Sequence, residues 1–182
     1  MIRVMERPAE VLRYGQVTLR RWRAADAQLV WRLVSGSVEH LRPWMPWADR
    51  YDADSSGQYT RQCEKDWKSG AAFNYAITAG GLEVGSCGLM ARIGAGGLEI
   101  GYWVAAGHTR RGLASDAAAA LTAAALALPG IDRVEIVHDE ANIASGGVAR
   151  KLGFTEVEKR RSAAEGSAPG ENGTSVVWRL TG

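Results

Sequence analysis

Hydrophobic and polar positions change period several times along this chain, and each change marks an element. Val17 to Trp22 alternates, with Val17, Leu19 and Arg21 on one side against Thr18, Arg20 and Trp22 on the other, the pattern of a strand. From Ala24 to Val34 the period lengthens. Leu29, Val30, Leu33 and Val34 share one helix face, Asp26 stands in the first turn and Gly36 follows. Val38 to Leu41 reads as a second short helix, which Pro43 and Pro46 keep from continuing. Asp54 or Ser55 caps a longer helix that runs to about Lys68 and ends at Gly70. Phe73–Thr78 and Val84–Ile93 read as strands joined at Ala79-Gly80-Gly81, and Gly94 to Gly97 turns into a third, Leu98 to Ala105. The middle of the chain is therefore an antiparallel meander.

The second half alternates. Leu113 to Leu128 is an Ala-rich helix with Leu113, Ala117, Leu121 and Ala124 on one stripe, stopped by Pro129-Gly130. A strand follows at Val134 to His138. Asn142 then reads as a helix N-cap, and Gly153 as its left-handed end. Phe154 to Glu158 begins another strand, and Ser175 to Leu180 closes the sheet. Residues 1–15 are expected to be a loose leader. The stretch 162–174, rich in Gly, Ser, Ala and Pro, is expected to be a mobile loop. With no repeat or linker, 1–182 reads as a single domain.

Composition narrows the class. The chain has 182 residues, 46% hydrophobic and 23% charged, ordinary for a soluble globular protein. A formal charge of +2 is too small to argue for nucleic acid. The basic residues Arg20, Arg21, Arg23 and Lys159-Arg160-Arg161 would carry that rival reading, and it would need steeply salt-dependent binding. Cys63 and Cys87 form no C-x-x-C pair, and the histidines at 40, 108 and 138 form no H-x-x-H pattern, so no metal is expected. Two unspaced cysteines fit a reducing cytoplasm. Met1 to Leu12 is charged throughout and is not expected to be a signal peptide, and no stretch is long enough to span a membrane.

The richest segment is Gly101 to Ala114, G-Y-W-V-A-A-G-H-T-R-R-G-L-A. An apolar strand runs into a basic turn with Gly112, and a helix starts at Leu113. Arg110, Arg111 and the unpartnered N–H groups of a helix start stand together there, a combination suited to an anion such as pyrophosphate. The same residues also suit an ordinary strand-to-helix turn with exposed arginines. A Rossmann-type site would place such a turn early, with an acidic residue about twenty positions on. Here it comes late, after hairpins.

Three further segments change the weighting: Asn142-Ile143-Ala144-Ser145; Lys151-Leu152-Gly153-Phe154; and His40-Leu41-Arg42-Pro43-Trp44-Met45-Pro46-Trp47. Together with the turn they resemble the GNAT N-acetyltransferase superfamily, in particular its RimJ/RimL-like branch, from about Val17 to Thr181. In the family's turn pattern Gly112 and Ala114 match. Thr109 stands where Arg or Gln is usual, and Arg110 where glycine is common. The resemblance implies an α/β (α+β) GNAT fold: a mixed, mostly antiparallel sheet of about seven strands flanked by helices, splayed between the fourth and fifth. It implies acetyl transfer from acetyl-CoA to an amine by direct attack in a ternary complex, with a protein N-terminal residue as a candidate acceptor.

The resemblance also distributes roles. Arg110, Arg111, Gly112, Leu113 and Ala114 would cradle the pyrophosphate. The backbone of Trp103, Val104 and Ala105 would pair with the pantetheine arm, and Asn142 would hydrogen-bond it besides capping its helix. Ser145 would donate to the departing thiolate. Glu99 is the first candidate to take the amine's proton, with Glu158 and His138 behind it. Trp44, Trp47 and Trp67 would line the acceptor pocket, although tryptophan is more often core. No metal, membrane or nucleic-acid partner is implied, and a homodimer is compatible with the branch. The rival from another class is a GNAT-fold sensor or interaction domain that binds acyl-CoA without turnover.

Overall fold

The computed structural model describes residues 6–162 and 168–182. Its strands are β1 (Val11–Tyr14), β2 (Val17–Arg21), β3 (Ala72–Ala79), β4 (Leu82–Met90), β5 (Gly97–Val104), β6 (Arg133–Asp139), β7 (Thr155–Arg161) and β8 (Thr174–Thr181). They form one sheet in the order β1-β2-β3-β4-β5-β6-β8-β7. Neighbours run antiparallel except β5 and β6, which the long crossover through a helix makes parallel. The helices are α1 (Ala27–Ser35), α2 (Val38–Leu41), α3 (Ala53–Ser69), α4 (Leu113–Leu126) and α5 (Ile143–Lys151).

The sheet buries both faces. On one, Leu98 and Ile100 of β5 pack with Leu113, Ala117 and Leu121 of α4 and with Ala149 of α5. The alanines let α4 lie close against the strands: Ala117, Ala118 and Ala125 are wholly buried. On the other, Trp22, Ala76 and Cys63 pack with Val30 and Val34 of α1. A buried polar chain stitches that side together: Trp22 Nε1–H donates to Ser86 Oγ at 3.0 Å, and the Tyr59 hydroxyl meets the same oxygen at 3.1 Å.

The mixed, mostly antiparallel sheet is as expected, but it has eight strands because 11–14 of the supposed leader are β1. That hairpin turns at Gly15 (φ 51°) and pairs Val11 with Arg20 and Tyr14 with Val17. Glu10 fixes its entry by ion pairs to Arg21 and Arg23, each 2.6 Å. The Tyr75 hydroxyl donates to the Ala9 carbonyl at 2.9 Å. The cap of α3 is Asp52, whose carboxylate accepts the Ser55 N–H at 2.8 Å, two residues before the expected start. Gly70 ends that helix in the left-handed conformation (φ 80°), as read. Of the loop 162–174, residues 163–167 lie outside the described residues. The rest is anchored: Gly170 N–H donates to the Pro43 carbonyl at 2.9 Å, and Asn172 and Gly173 N–H donate to the Asp139 carboxylate at 3.0 and 2.9 Å.

Candidate active site

The parallel pairing of β5 with β6 runs only from Gly97↔Arg133 to Ile100↔Ile136. Beyond it β5 stays on β4 as far as Val104, and β6 stays on β8 as far as Asp139. The two strands part and a cleft of about 770 Å³ opens between them. Its walls come from Gly101 to Val104, Ile136 to Asp139, and the starts of α4 and α5. A gap between strands that each keep an outer neighbour leaves backbone N–H and C=O groups facing the opening, ready for an extended, amide-bearing ligand.

At one end stands the turn before α4. Gly112 is the N-cap in the left-handed region (φ 78°). Arg110 occupies that region too (φ 60°), the one described non-glycine residue that does. Arg110, Gly112, Leu113 and Ala114 line the cleft. Arg111 does not; its guanidinium sits 3.2 Å from His108 Nδ1. Ala105 is buried behind the wall, and its N–H donates to the Val84 carbonyl. Lys151, unassigned in the sequence reading, comes from the far end of α5. Its Nζ lies 3.9 Å from where a Cβ on Gly112 would stand. Lys151 and the helix start thus meet at Gly112, and Arg110 lines the same cleft, a combination suited to a polyanion.

Midway along, Asn142 caps α5, its Oδ1 accepting the Ser145 N–H at 3.2 Å. Ser145 lines the cleft, and so does Tyr102, whose hydroxyl lies 3.0 Å from Ser145 Oγ and 3.2 Å from the Ser145 carbonyl. Burial pushes the Tyr102 phenol up to about 12. Tyr102 is unassigned in the sequence, where nothing local links it to Ser145, forty-three residues on.

The titratable groups sort by what already holds them. Glu99 lines the cleft and is 8% exposed, but Arg92 grips both its oxygens, Nε at 2.9 Å and Nη2 on the other. His138 has both ring nitrogens engaged: Nδ1 on the Asp139 carbonyl at 2.7 Å, and Nε2 accepting from Trp178 Nε1–H at 2.9 Å. That arrangement leaves neither ring nitrogen free for an incoming amine. Glu158 is on β7, outside the cleft, beside Arg160. Glu171, unassigned in the sequence reading, lines the cleft and spends one oxygen on the Ala168 N–H at 2.8 Å. It lies in an aperiodic Gly/Asn-rich loop, which offers no pattern to find it by.

Of the tryptophans, Trp44 lines the cleft beside Met45. Trp47 does not line it; the side chain is exposed, its ring 6.3 Å from that of Trp103 and 5.5 Å from Tyr51. Trp67 is 2% exposed and packs edge-on against Phe73 and Tyr75, so it is core and no pocket residue. Among the described residues no cluster of His, Cys, Asp and Glu has the grouping to hold a metal, and no helix is long and apolar enough to cross a membrane.

A parallel pair that parts at Ile100, with a helix start and basic side chains at one end of the gap, defines a mixed α/β fold with a cleft between two strands of its sheet. The model of the acetyltransferase (GNAT) domain matches residues 16–155, and the chain belongs to that family. Its similarity is to RimJ/RimL-like members. YdaF of Bacillus subtilis (strain 168), named as a ribosomal N-acetyltransferase, is 28% identical over 150 residues, covering 80% of this chain and 81% of YdaF. RimL, the ribosomal L7/L12 alpha-N-protein acetyltransferase in complex with coenzyme A, superposes with a TM-score of 0.84 at 20% identity, over 94% of this chain and 98% of its own. RimJ of Mycobacterium smegmatis, in complex with a CoA disulfide, gives 0.81 at 24% identity, over 94% and 85%.

Proposed function

We propose that this acetyl-CoA-dependent N-acetyltransferase acts on the free amine of a protein or peptide N-terminus. The observation that carries the reading is the parting of β5 and β6 at Ile100, which opens one cleft to both faces of the sheet. Acetyl-CoA enters past Gly112 on the α4 side, and the acceptor enters past Trp44 and Met45 on the other. The names of YdaF, RimL and RimJ support a protein amine. Arg110, Gly112, Leu113, Ala114 and Lys151 hold the pyrophosphate. The backbone of Trp103 and Val104, with the Asn142 amide, holds the pantetheine arm, and Ser145 faces the sulfur.

The amine arrives as an ammonium and must lose a proton before it attacks. Glu99, with Arg92 on both oxygens, is poorly free to take it; Glu171 has one oxygen with no partner among the described residues. We assign the proton to Glu171 and a structural ion pair to Glu99. A cytoplasmic location and a homodimer belong to the same proposal. Buried free thiols at Cys63 and Cys87 suit a reducing compartment, and the exposed edge strand β7 offers a pairing edge.

Calorimetric titration with acetyl-CoA, against desulfo-CoA and ATP, tests the cofactor half. Thiol release with hexapeptides starting in serine or alanine, and with small amines, tests the acceptor half. Micromolar binding of acetyl-CoA and desulfo-CoA in preference to ATP, with peptide turnover on acetyl-CoA, is expected; binding without turnover on any amine would favour a sensor. Glu171→Gln should flatten the acidic limb of the pH–rate curve and Glu99→Gln should leave it. The opposite result returns the role to Glu99.

A further inference from the structure

The Tyr102–Ser145 contact joins two elements distant in sequence at the middle of the cleft, and the reaction as described uses only one of its members. Two hydroxyl protons there face three acceptor sites. The Tyr102 hydroxyl is 3.0 Å from Ser145 Oγ and 3.2 Å from the Ser145 carbonyl. If the phenol donates to the carbonyl, the serine proton falls back onto the phenol oxygen and nothing points into the cleft. If the phenol donates to Ser145 Oγ, the serine proton is released toward the cleft. The two acceptors differ by 0.2 Å in distance, so a small rotation of one O–H bond exchanges the states.

We infer that Tyr102 is the positioning residue of the thiolate-binding hydroxyl: its O–H donates to Ser145 Oγ and so aims the serine O–H at the leaving sulfur. The inference rests on the acetyl-CoA reading of the cleft. In the step it serves, the amine nitrogen bonds the acetyl carbon and the C–S bond breaks with its electron pair leaving on sulfur. The proton shed by the amine balances the thiol formed. Tyr102 keeps its own proton throughout. A phenol that burial holds near 12 stays a donor over the whole working range, where a thiol of about 8.5 is ionising. A donor that is itself hydrogen-bonded donates more strongly, because the second bond polarises the first.

Tyr102→Phe keeps the ring and removes only the hydroxyl. The readout that needs no acceptor is the thiol of bound CoA, titrated by the ultraviolet absorbance of its thiolate in wild type, Tyr102→Phe, Ser145→Ala and the double variant. Removing the phenol should raise the bound thiol's titration by about one pH unit, a tenfold weakening of thiolate binding. The double variant should match Ser145→Ala, since without the serine there is nothing for Tyr102 to aim. With a serine-first hexapeptide kcat should fall about tenfold while acetyl-CoA affinity and melting temperature hold. An unmoved thiol titration in Tyr102→Phe overturns the inference, as do single effects that simply multiply in the double variant. Wild type that binds no CoA at all overturns the underlying reading and this inference with it, and is told apart by the binding isotherm.

Discussion

Arg110 tests the cradle from two sides at once. It is an L-residue held at φ 60°, at the place where the resembled family commonly has glycine. The left-handed conformation costs such a residue about 1–2 kcal/mol. Arg110→Gly removes that cost but gives the unfolded chain more freedom, worth about 0.4–1 kcal/mol the other way. The net expectation is a gain of about 0.5 kcal/mol, a rise of roughly 1–2 °C in melting temperature for a chain this long. The side chain is exposed, so its contact with a phosphate is partly screened, and its loss should weaken acetyl-CoA binding about 3–10-fold at physiological salt. Arg110→Ala separates the two effects. It loses the charge and keeps the strained backbone, so it should bind as weakly as the glycine variant and melt below it. Calorimetry and a thermal melt on three proteins suffice. A glycine variant that melts below the alanine variant refutes the strain argument. Unchanged acetyl-CoA affinity in both refutes the phosphate contact.

Other consequences are sharper in sign. Gly112→Glu puts a charged side chain at the helix start beside Lys151, in a backbone conformation that disfavours it, and should abolish acetyl-CoA binding in calorimetry. Gly85→Ala would place a Cβ 2.2 Å from the Trp103 carbonyl oxygen, forcing β4 from β5; a loss of about 2–4 kcal/mol in denaturant unfolding is expected. Burial pushes the Asp139 carboxyl up, but the N–H groups of Asn172, Ala141 and Gly173 outweigh it and hold the group below its ordinary value. A depressed folded value means stability that is present above about pH 4 and lost as pH falls through that lower value. The melting temperature of wild type should therefore fall on acidification below about pH 4, and Asp139→Asn should lose about 1–2 kcal/mol at pH 7 and show a flatter acid slope.

What sequence made legible was whatever had a period or a local stop signal. Alternation located β2, apolar runs between turn signals located β3 to β6, the Gly80-Gly81 turn located a hairpin, and Asn142 and Gly153 bounded α5 at both ends. The contacts that decide the chemistry are between segments far apart in the chain, and periodicity is silent on those. Glu99 had the right strand and face for a base; Arg92, seven residues away beyond a turn, changes what its oxygens are free to do. His138 was read as the end of its strand and stands one residue before it, and only Trp178, forty residues on, shows that its ring is committed. β1 was missed because Val11 and Leu12 are too short an apolar run to signal a strand; its register comes from β2 and from the Glu10 ion pairs.

The parting of the sheet also accounts for where stability and reactivity sit. β5 keeps β4 and β6 keeps β8, so neither strand loses its place when the pair opens past Ile100. The cost falls on the backbone groups of Gly101 to Val104 that face the gap, on the order of 1 kcal/mol for each group that lacks a good partner. An amide-bearing arm laid along that edge restores those bonds, whereas a ligand held only by its phosphates does not. Acetyl-CoA and desulfo-CoA should therefore both raise the melting temperature well beyond what a nucleoside diphosphate does at the same free concentration, because the pantetheine arm adds binding free energy along the open edge. Equal shifts from all three would mean that the cleft binds through its mouth and that the open strand edge contributes nothing.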